Sequence, residues 1–368
     1  MRKKNLKVAL IHDFLREYGG AERVVEALHE MFPDAPLYVA FLDKESLGIH
    51  WQNFADWDIR ETWFARLPLA KKLYSPLRLF APKAFADLDL SKYDLVISSS
   101  NAFEAKAVKA PNGVHVCYCH TPPRALYGYS TMSSWKKNPL IHFFGTLINH
   151  YMRVVDFKVA QKVDHFIANS EEVQRRIKKF YRRDSTVIYP PVNVNTDKAS
   201  AKKGDYYLYV NRLGLQKHPE LAVTACNQLK VSLKVVGTGQ MESVLKEMAG
   251  FTIEFMGAVD DQTLNDLYAG AQALIYPVED EDFGIVPVEA MGHGVPVIAH
   301  KSGGPMETVL EGETGIFFDE LTADALVEAM KKADKIKFDR QAIIKHAQFF
   351  SKANFKKRLK AALAQWVK

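Results

Sequence analysis

The chain has 368 residues, a formal net charge of +6, 48% hydrophobic and 25% charged residues, and three cysteines. That length exceeds what one hydrophobic core usually sustains, so two domains are expected, and the composition excludes a fibrous or disordered chain. No apolar run approaches the ~20 residues that span a bilayer, no signal peptide follows Met1-Arg2-Lys3-Lys4-Asn5, and Cys117, Cys119 and Cys226 fit a reducing compartment, so the cytoplasm is expected.

Along the chain, short β-rich runs alternate with longer helical ones, the pattern of βαβ units and parallel sheets. In the first half, strands are predicted at 6–12, 37–41, 95–99, 114–119, 165–168 and 186–189, and helices at 21–31, 141–162 and 171–180. A Pro-rich turn, Pro190-Pro191-Val192, then leads into a polar linker ending at Gly204. The second half restarts with strands at 206–210, 233–236, 252–255, 273–276 and 295–299, separated by helices at 219–229, 240–248, 261–269 and 322–333. A last helix, 351–368, repeats apolar positions Phe355, Leu359, Leu363 and Trp366. The expected domains are 1–197, joined by 351–368, and 204–350.

Between Arg60 and Lys83 lie Arg66, Lys71, Lys72 and Arg78, with Glu61 the only acid and apolar side chains interleaved. Residues 135–144 have a similar character. Two readings stand: amphipathic helices with a solvated basic face, or a patch lying on an anionic membrane. Nucleic acid is not expected as a partner, because no recognition motif accompanies the charge. The Asp87-Leu88-Asp89 triplet reads as turn and capping chemistry, not a metal site. Cys117 and Cys119 read as small core residues, because adjacent strand residues point to opposite faces and His120 cannot easily converge with them on a metal.

The most informative segment is Glu281-Asp282-Phe283-Gly284-Ile285-Val286-Pro287-Val288-Glu289. It follows an apolar strand and precedes a glycine stop and another buried strand. Gly284 lets backbone approach a ligand, Pro287 suits a first helical turn, and free N–H groups at a helix start suit a phosphate. Glu281 falls in the loop and Glu289 is expected early in the helix. Two carboxylates able to accept sugar hydroxyls beside a phosphate-friendly helix start point to a nucleotide-sugar site.

This segment resembles the signature of the retaining glycosyltransferases of family 4. So do Val8–Phe14 with Gly19-Gly20-Ala21-Glu22, Ile188–Val192, and Arg212 with Lys217. Within that family, Cys119-His120-Thr121-Pro122-Pro123-Arg124 looks closest to mannosyltransferases of bacterial O-antigen and capsule assembly. The chain departs from the family where His218-Pro219 follows the lysine, a place often held by Gly or Arg.

The resemblance implies an α/β GT-B architecture, two Rossmann-like domains facing a cleft, with the last helix crossing back to the first domain. It implies metal-independent catalysis. Arg212, as a bidentate fork, and Lys217, as a point charge, would join N–H groups near Phe283, Gly284, Ile285 and Val286 in stabilising a leaving diphosphate. Glu281 would contact the donor sugar and Glu289 the ribose. Gly237 and Met256, at strand ends, are candidates for the base, and Gly19 and Gly20 for close backbone approach. His120 is the candidate for a hydrogen bond to the donor sugar, with Asp13 and Arg124 as acceptor-side candidates. No cofactor is expected beyond the nucleotide-sugar co-substrate, for which GDP-mannose is favoured. The acceptor would be a glycan or lipid-linked hydroxyl, with the chain at the inner face of the plasma membrane. Alternatives are a UDP-sugar donor, a sugar-nucleotide epimerase, or a non-catalytic subunit of the same fold.

Overall fold

The computed structural model describes residues 6–102, 104–129, 139–194 and 204–367, so the lysines of the 135–144 stretch lie outside the described residues. The chain forms two compact units, Met1–Pro191 with Phe355–Lys368, and Val192–Asn354.

The first unit carries seven strands: β1 (Val8–His12), β2 (Leu37–Val39), β3 (Ile59–Glu61), β4 (Leu95–Ser100), β5 (Val114–Cys119), β6 (His165–Ala168) and β7 (Ser185–Val187). Its helices are α1 (Gly20–Met31), α2 (Lys44–Leu47), α3 (Tyr74–Leu77), α4 (Ala81–Ala86), α5 (Pro139–Ala160) and α6 (Glu171–Tyr181). The sheet is parallel in the order β3-β2-β1-β4-β5-β6-β7. All five residues of β1 are buried, as helices on both faces of a parallel sheet require.

The second unit carries β8 (Tyr206–Val210), β9 (Leu233–Val236), β10 (Ile253–Gly257), β11 (Ala271–Tyr276), β12 (Val297–His300) and β13 (Gly315–Phe318). Its helices are α7 (Pro219–Leu229), α8 (Glu242–Met248), α9 (Asp261–Ala269), α10 (Ile285–Gly292), α11 (Pro305–Thr308), α12 (Ala323–Lys335) and α13 (Arg340–Ala347). The strands are again all parallel, in the order β10-β9-β8-β11-β12-β13. A last helix, α14 (Lys352–Trp366), turns Phe355, Leu359 and Leu363 into the first unit's core beside Val8, Leu10 and Tyr118, as their spacing predicts. Trp366 stacks on His165 with ring centroids 4.5 Å apart. Among the described residues, no helix is long and apolar enough to cross a membrane.

Several elements escape the sequence pattern. β3 is a three-residue edge strand with Arg60 and Glu61 exposed, so it lacks an apolar run. Its stretch, 60–83, was expected to be helical. It breaks instead into 3-10 turns and the short α3 and α4, because Pro68, Pro76 and Pro82 interrupt any longer helix. β13 is a short edge strand, and α13 is opened by Asp339, whose carboxylate accepts from the N–H groups of Gln341 and Ala342.

Beneath the first sheet lies a buried ionic cluster. Lys106 Nζ donates to Glu104 Oε2 and pairs with Asp156 Oδ1, each at 2.6 Å, with all three side chains 0–1% exposed. Tyr127 and Tyr181 donate to Asp156 at 2.5 and 3.0 Å, tying α5 and α6 together. Burial, then the neighbouring Asp156, pushes the Glu104 carboxyl up to about 8 against the pull of Lys106. Burial works against the Lys106 charge, but Asp156 and Glu104 outweigh it and hold the ammonium well above its ordinary value.

Candidate active site

In the second sheet the chain progresses outward from β8 through β9 to β10, then returns to lay β11 against the other side of β8. Loops leaving the carboxyl ends of β8 and β11 therefore diverge at a topological switch point, where ligands of α/β sheets bind. Arg212 and Lys217 lie on the first loop, Glu281 on the second.

Each loop is held by backbone packing that only glycine permits. A Cβ on Gly237, whose φ is +123°, would lie 1.9 Å from the Asn211 carbonyl oxygen, and the Gly237 N–H donates to Gly257 O at 2.8 Å. Gly237 thus seats the Arg212 loop, and the end of β10 next to Met256 braces it. On the other side, a Cβ on Gly303 (φ +59°) would lie 2.3 Å from the Glu281 carbonyl, and the Gly304 N–H donates to that carbonyl at 2.8 Å. The Ser302-Gly303-Gly304 turn is the floor on which the Glu281 loop rests.

Lys217 Nζ meets Glu281 Oε2 at 2.5 Å, with both side chains partly exposed (23% and 18%). Tyr276, the last residue of β11, donates to the same oxygen at 2.9 Å. Burial, and next the Glu281 carboxylate, pushes that hydroxyl well above its ordinary value, so it stays a donor. Tyr209 donates to the Lys217 carbonyl at 2.9 Å and fixes the lysine's backbone. Arg212 is exposed, its own N–H turned onto Asn211 Oδ1 at 3.0 Å. His218 adopts a left-handed conformation (φ 45°, ψ 45°), which glycine takes without strain.

Gly284 (φ 86°) is the N-cap residue just before α10, and no side chain caps the helix. Phe283 is buried edge-on against Phe350, with centroids 5.7 Å apart, while Ile285 and Val286 are half-buried. Glu289 is the fifth residue of α10, so it lies in the second turn. Its Oε2 accepts from Tyr268 at 3.2 Å.

The first sheet has its own switch point, between β1 and β4. Here the polar groups are buried in a line. The Gly19 N–H donates to Glu22 Oε2 at 2.8 Å, so this amide is already engaged within α1's first turn. Glu22 Oε1 lies 3.2 Å from His12 Nε2. His12 Nδ1 lies 3.2 Å from the Ser99 carbonyl and 3.0 Å from Ser99 Oγ, which in turn lies 2.8 Å from His120 Nε2. Burial lowers the His12 pKa, but the hydrogen bond and charge of Glu22, with Asp13 and the Ser99 carbonyl, raise it above its ordinary value. Burial, then the facing His12, pushes His120 down to about 3. His120 directly follows β5.

Asp13 differs from what was expected of it. Its carboxylate accepts from the N–H groups of Asn101, Ala102 and Ala105, each at 2.8 Å, so it anchors the loop after β4 instead of standing open to an acceptor. Arg124 is partly buried in the turn after β5. Gly20 begins α1. Sequence reasoning missed Tyr276, Ser99 and His12. A tyrosine ending a buried strand one loop before Glu281 was a usable signal, whereas Ser99 and His12 look like strand residues until the register places them side by side.

Residues 18–196 match the model of Glycosyltransferase Family 4, and residues 194–349 that of Glycosyl transferases group 1. An alpha-1,3/1,6-mannosyltransferase of Candida glabrata is 24% identical over 83% of this chain and 78% of its own. A GDP-mannose-dependent alpha-mannosyltransferase of Corynebacterium glutamicum is 32% identical over 30% of this chain and 27% of its own. Among solved structures, Anabaena HepE in complex with UDP superposes with a TM-score of 0.72 at 18% identity, over 98% of this chain and 100% of that one. Two parallel Rossmann-like sheets, two matching models that together run from residue 18 to residue 349, and this fold likeness agree: the chain belongs to the GT-B glycosyltransferases of the family 4 type.

Proposed function

We propose that this enzyme transfers mannose from GDP-mannose to a hydroxyl of a glycan or lipid-linked acceptor, with retention at the anomeric carbon. The observation that carries the reading is the Lys217–Glu281 pair at the β8/β11 switch point, close in sequence to the uncapped start of α10. Lys217 and Arg212 supply positive charge for the departing diphosphate, joined by N–H groups around Phe283, Gly284 and Ile285. Glu281 accepts from hydroxyls of the donor sugar, with Tyr276 holding its carboxylate in place. Glu289 accepts from the ribose, while Gly237 and Met256 border the base. As the anomeric C–O bond to the diphosphate breaks, the acceptor oxygen bonds to the same carbon and its proton leaves with the phosphate. Mannose and GDP are favoured by the names of the two curated relatives.

The acceptor is read as lying at an anionic membrane face. α5 exposes Phe143, Phe144, Leu147, Ile148, Tyr151 and Val154. At ~100° per residue these positions fall within one side of the helix, in keeping with an interfacial element.

A thermal-shift panel of GDP, UDP and ADP sugars on the native chain and on Arg212→Ala tests the donor. A ligand at 100 times its Kd adds about 2.7 kcal/mol of stability. Stabilisation by GDP-mannose that Arg212→Ala removes supports the reading. Preference for a UDP sugar replaces the donor, and no stabilisation by any nucleotide sugar overturns the assignment.

A further inference from the structure

The buried line at the first sheet's switch point has a direction, set by which atoms can only accept. The Ser99 carbonyl has no proton to give, so His12 Nδ1, 3.2 Å away, carries the hydrogen and donates it. Glu22 Oε1, 3.2 Å from Nε2, likewise only accepts, so both ring nitrogens carry hydrogen and His12 is the imidazolium. The Nδ1–H also faces Ser99 Oγ at 3.0 Å, so that hydroxyl oxygen accepts there and must send its own hydrogen elsewhere. Its other neighbour is His120 Nε2 at 2.8 Å. His120 Nε2 is thereby the acceptor, and the single proton of this neutral imidazole sits on Nδ1, which has no hydrogen-bond partner among the described residues. Glu22, accepting from the Gly19 N–H and facing His12 Nε2, orients the far end of the chain.

We propose that Ser99 is a positioning residue: the line Gly19–Glu22–His12–Ser99–His120 fixes His120 as its Nδ1–H tautomer, so this imidazole meets the sugar as a hydrogen-bond donor and not as a base. The assignment to sugar rests on the function proposed above; the tautomer does not. His120 is 7% exposed, and the other four side chains or amides of the line lie within the sheet edge and α1, where water does not compete for Ser99. A second serine–histidine pair supplies a control. Ser98 Oγ lies 2.8 Å from His115 Nε2 on the neighbouring position of β4, outside the line.

The experiment is long-range ¹H–¹⁵N correlation on the full chain labelled in histidine, with His120 assigned by its disappearance in His120→Asn. The expected spectrum has a pyrrole-type Nδ1 and a pyridine-type Nε2 at His120. A protonated Nε2 there overturns the proposal in the native chain, without any variant needing to fold. In Ser99→Ala the tautomer should shift or mix, with kcat for transfer falling roughly tenfold to a hundredfold at little change in donor KM. Ser99→Thr keeps the hydroxyl and should retain the tautomer, and Ser98→Ala should leave His120 as it is. An unchanged tautomer in Ser99→Ala overturns the line's role. An Nδ1–H His120 in a chain that transfers no sugar supports the line and overturns the functional reading.

Discussion

The two switch points share a topology and differ in what the chain puts there. At β8/β11 the charged groups are open: Arg212 is exposed, and Lys217 and Glu281 keep about a fifth of their surface in water. At β1/β4 the polar groups of His12, Asp13, Glu22, Ser99 and His120 are all buried and bonded to one another or to backbone. The difference teaches that one edge keeps its charged groups within reach of water, whereas the other engages its polar groups with internal partners. Open charges should cost activity when removed and spare the fold. Buried ones should cost the fold.

The largest effect is expected from the first unit's buried cluster. Lys106→Ala leaves Glu104 and Asp156 without their cation and should destabilise by about 3–5 kcal/mol in chemical unfolding; a loss below about 1 kcal/mol would break the contrast. Next, Glu281→Ala should lower transfer about 10²–10³-fold with an unchanged melting curve. Near-native turnover would remove Glu281 from the mechanism.

pH separates the regions further. Glu104 titrates at about 8 in the folded chain against 4.5 for an ordinary carboxyl, so the folded state holds this proton more tightly. The stability it carries is complete below pH 4.5 and is lost as pH rises through 8. His12, raised above 6.5, acts in the same sense. Unfolding at about pH 6 and about pH 8.5 should therefore give the lower stability at the higher pH, and Glu104→Gln should shrink the gap. Equal stabilities in the native chain would contradict a protonated Glu104.

His218→Gly should add about 1 kcal/mol by relieving the left-handed backbone, read from the melting midpoint. Smallest in stability, Phe143→Ser with Leu147→Ser should change unfolding by less than about 0.5 kcal/mol. The same pair should reduce co-sedimentation with anionic vesicles; undiminished sedimentation would detach α5 from the membrane.

The second unit's site was the more legible in sequence. Its loops announce themselves because Gly237, Gly284 and Gly303 stand where backbone must take positive φ or pack against backbone, and because Glu281 and Lys217 follow clear apolar strands. In the first unit, strand 114–119 was read to the residue, since an interior parallel strand is a run of mostly apolar residues, here broken only by His115. The β3 edge was not, because an edge strand can be three residues of mixed polarity. Asp13 looked available for a ligand since nothing in the sequence says that the loop after β4 folds back over it. The His12–Ser99–His120 line depends on register between strands far apart in the chain, which periodicity does not carry.

α14 returns the chain to the unit where it began, setting Phe355, Leu359 and Leu363 beside Val8 and Leu10. During synthesis, then, the first unit's core stays open while the whole second unit is translated. At roughly 5–20 residues per second that interval is on the order of ten seconds or more. Over that time the apolar strip awaiting α14 is a natural target for a chaperone.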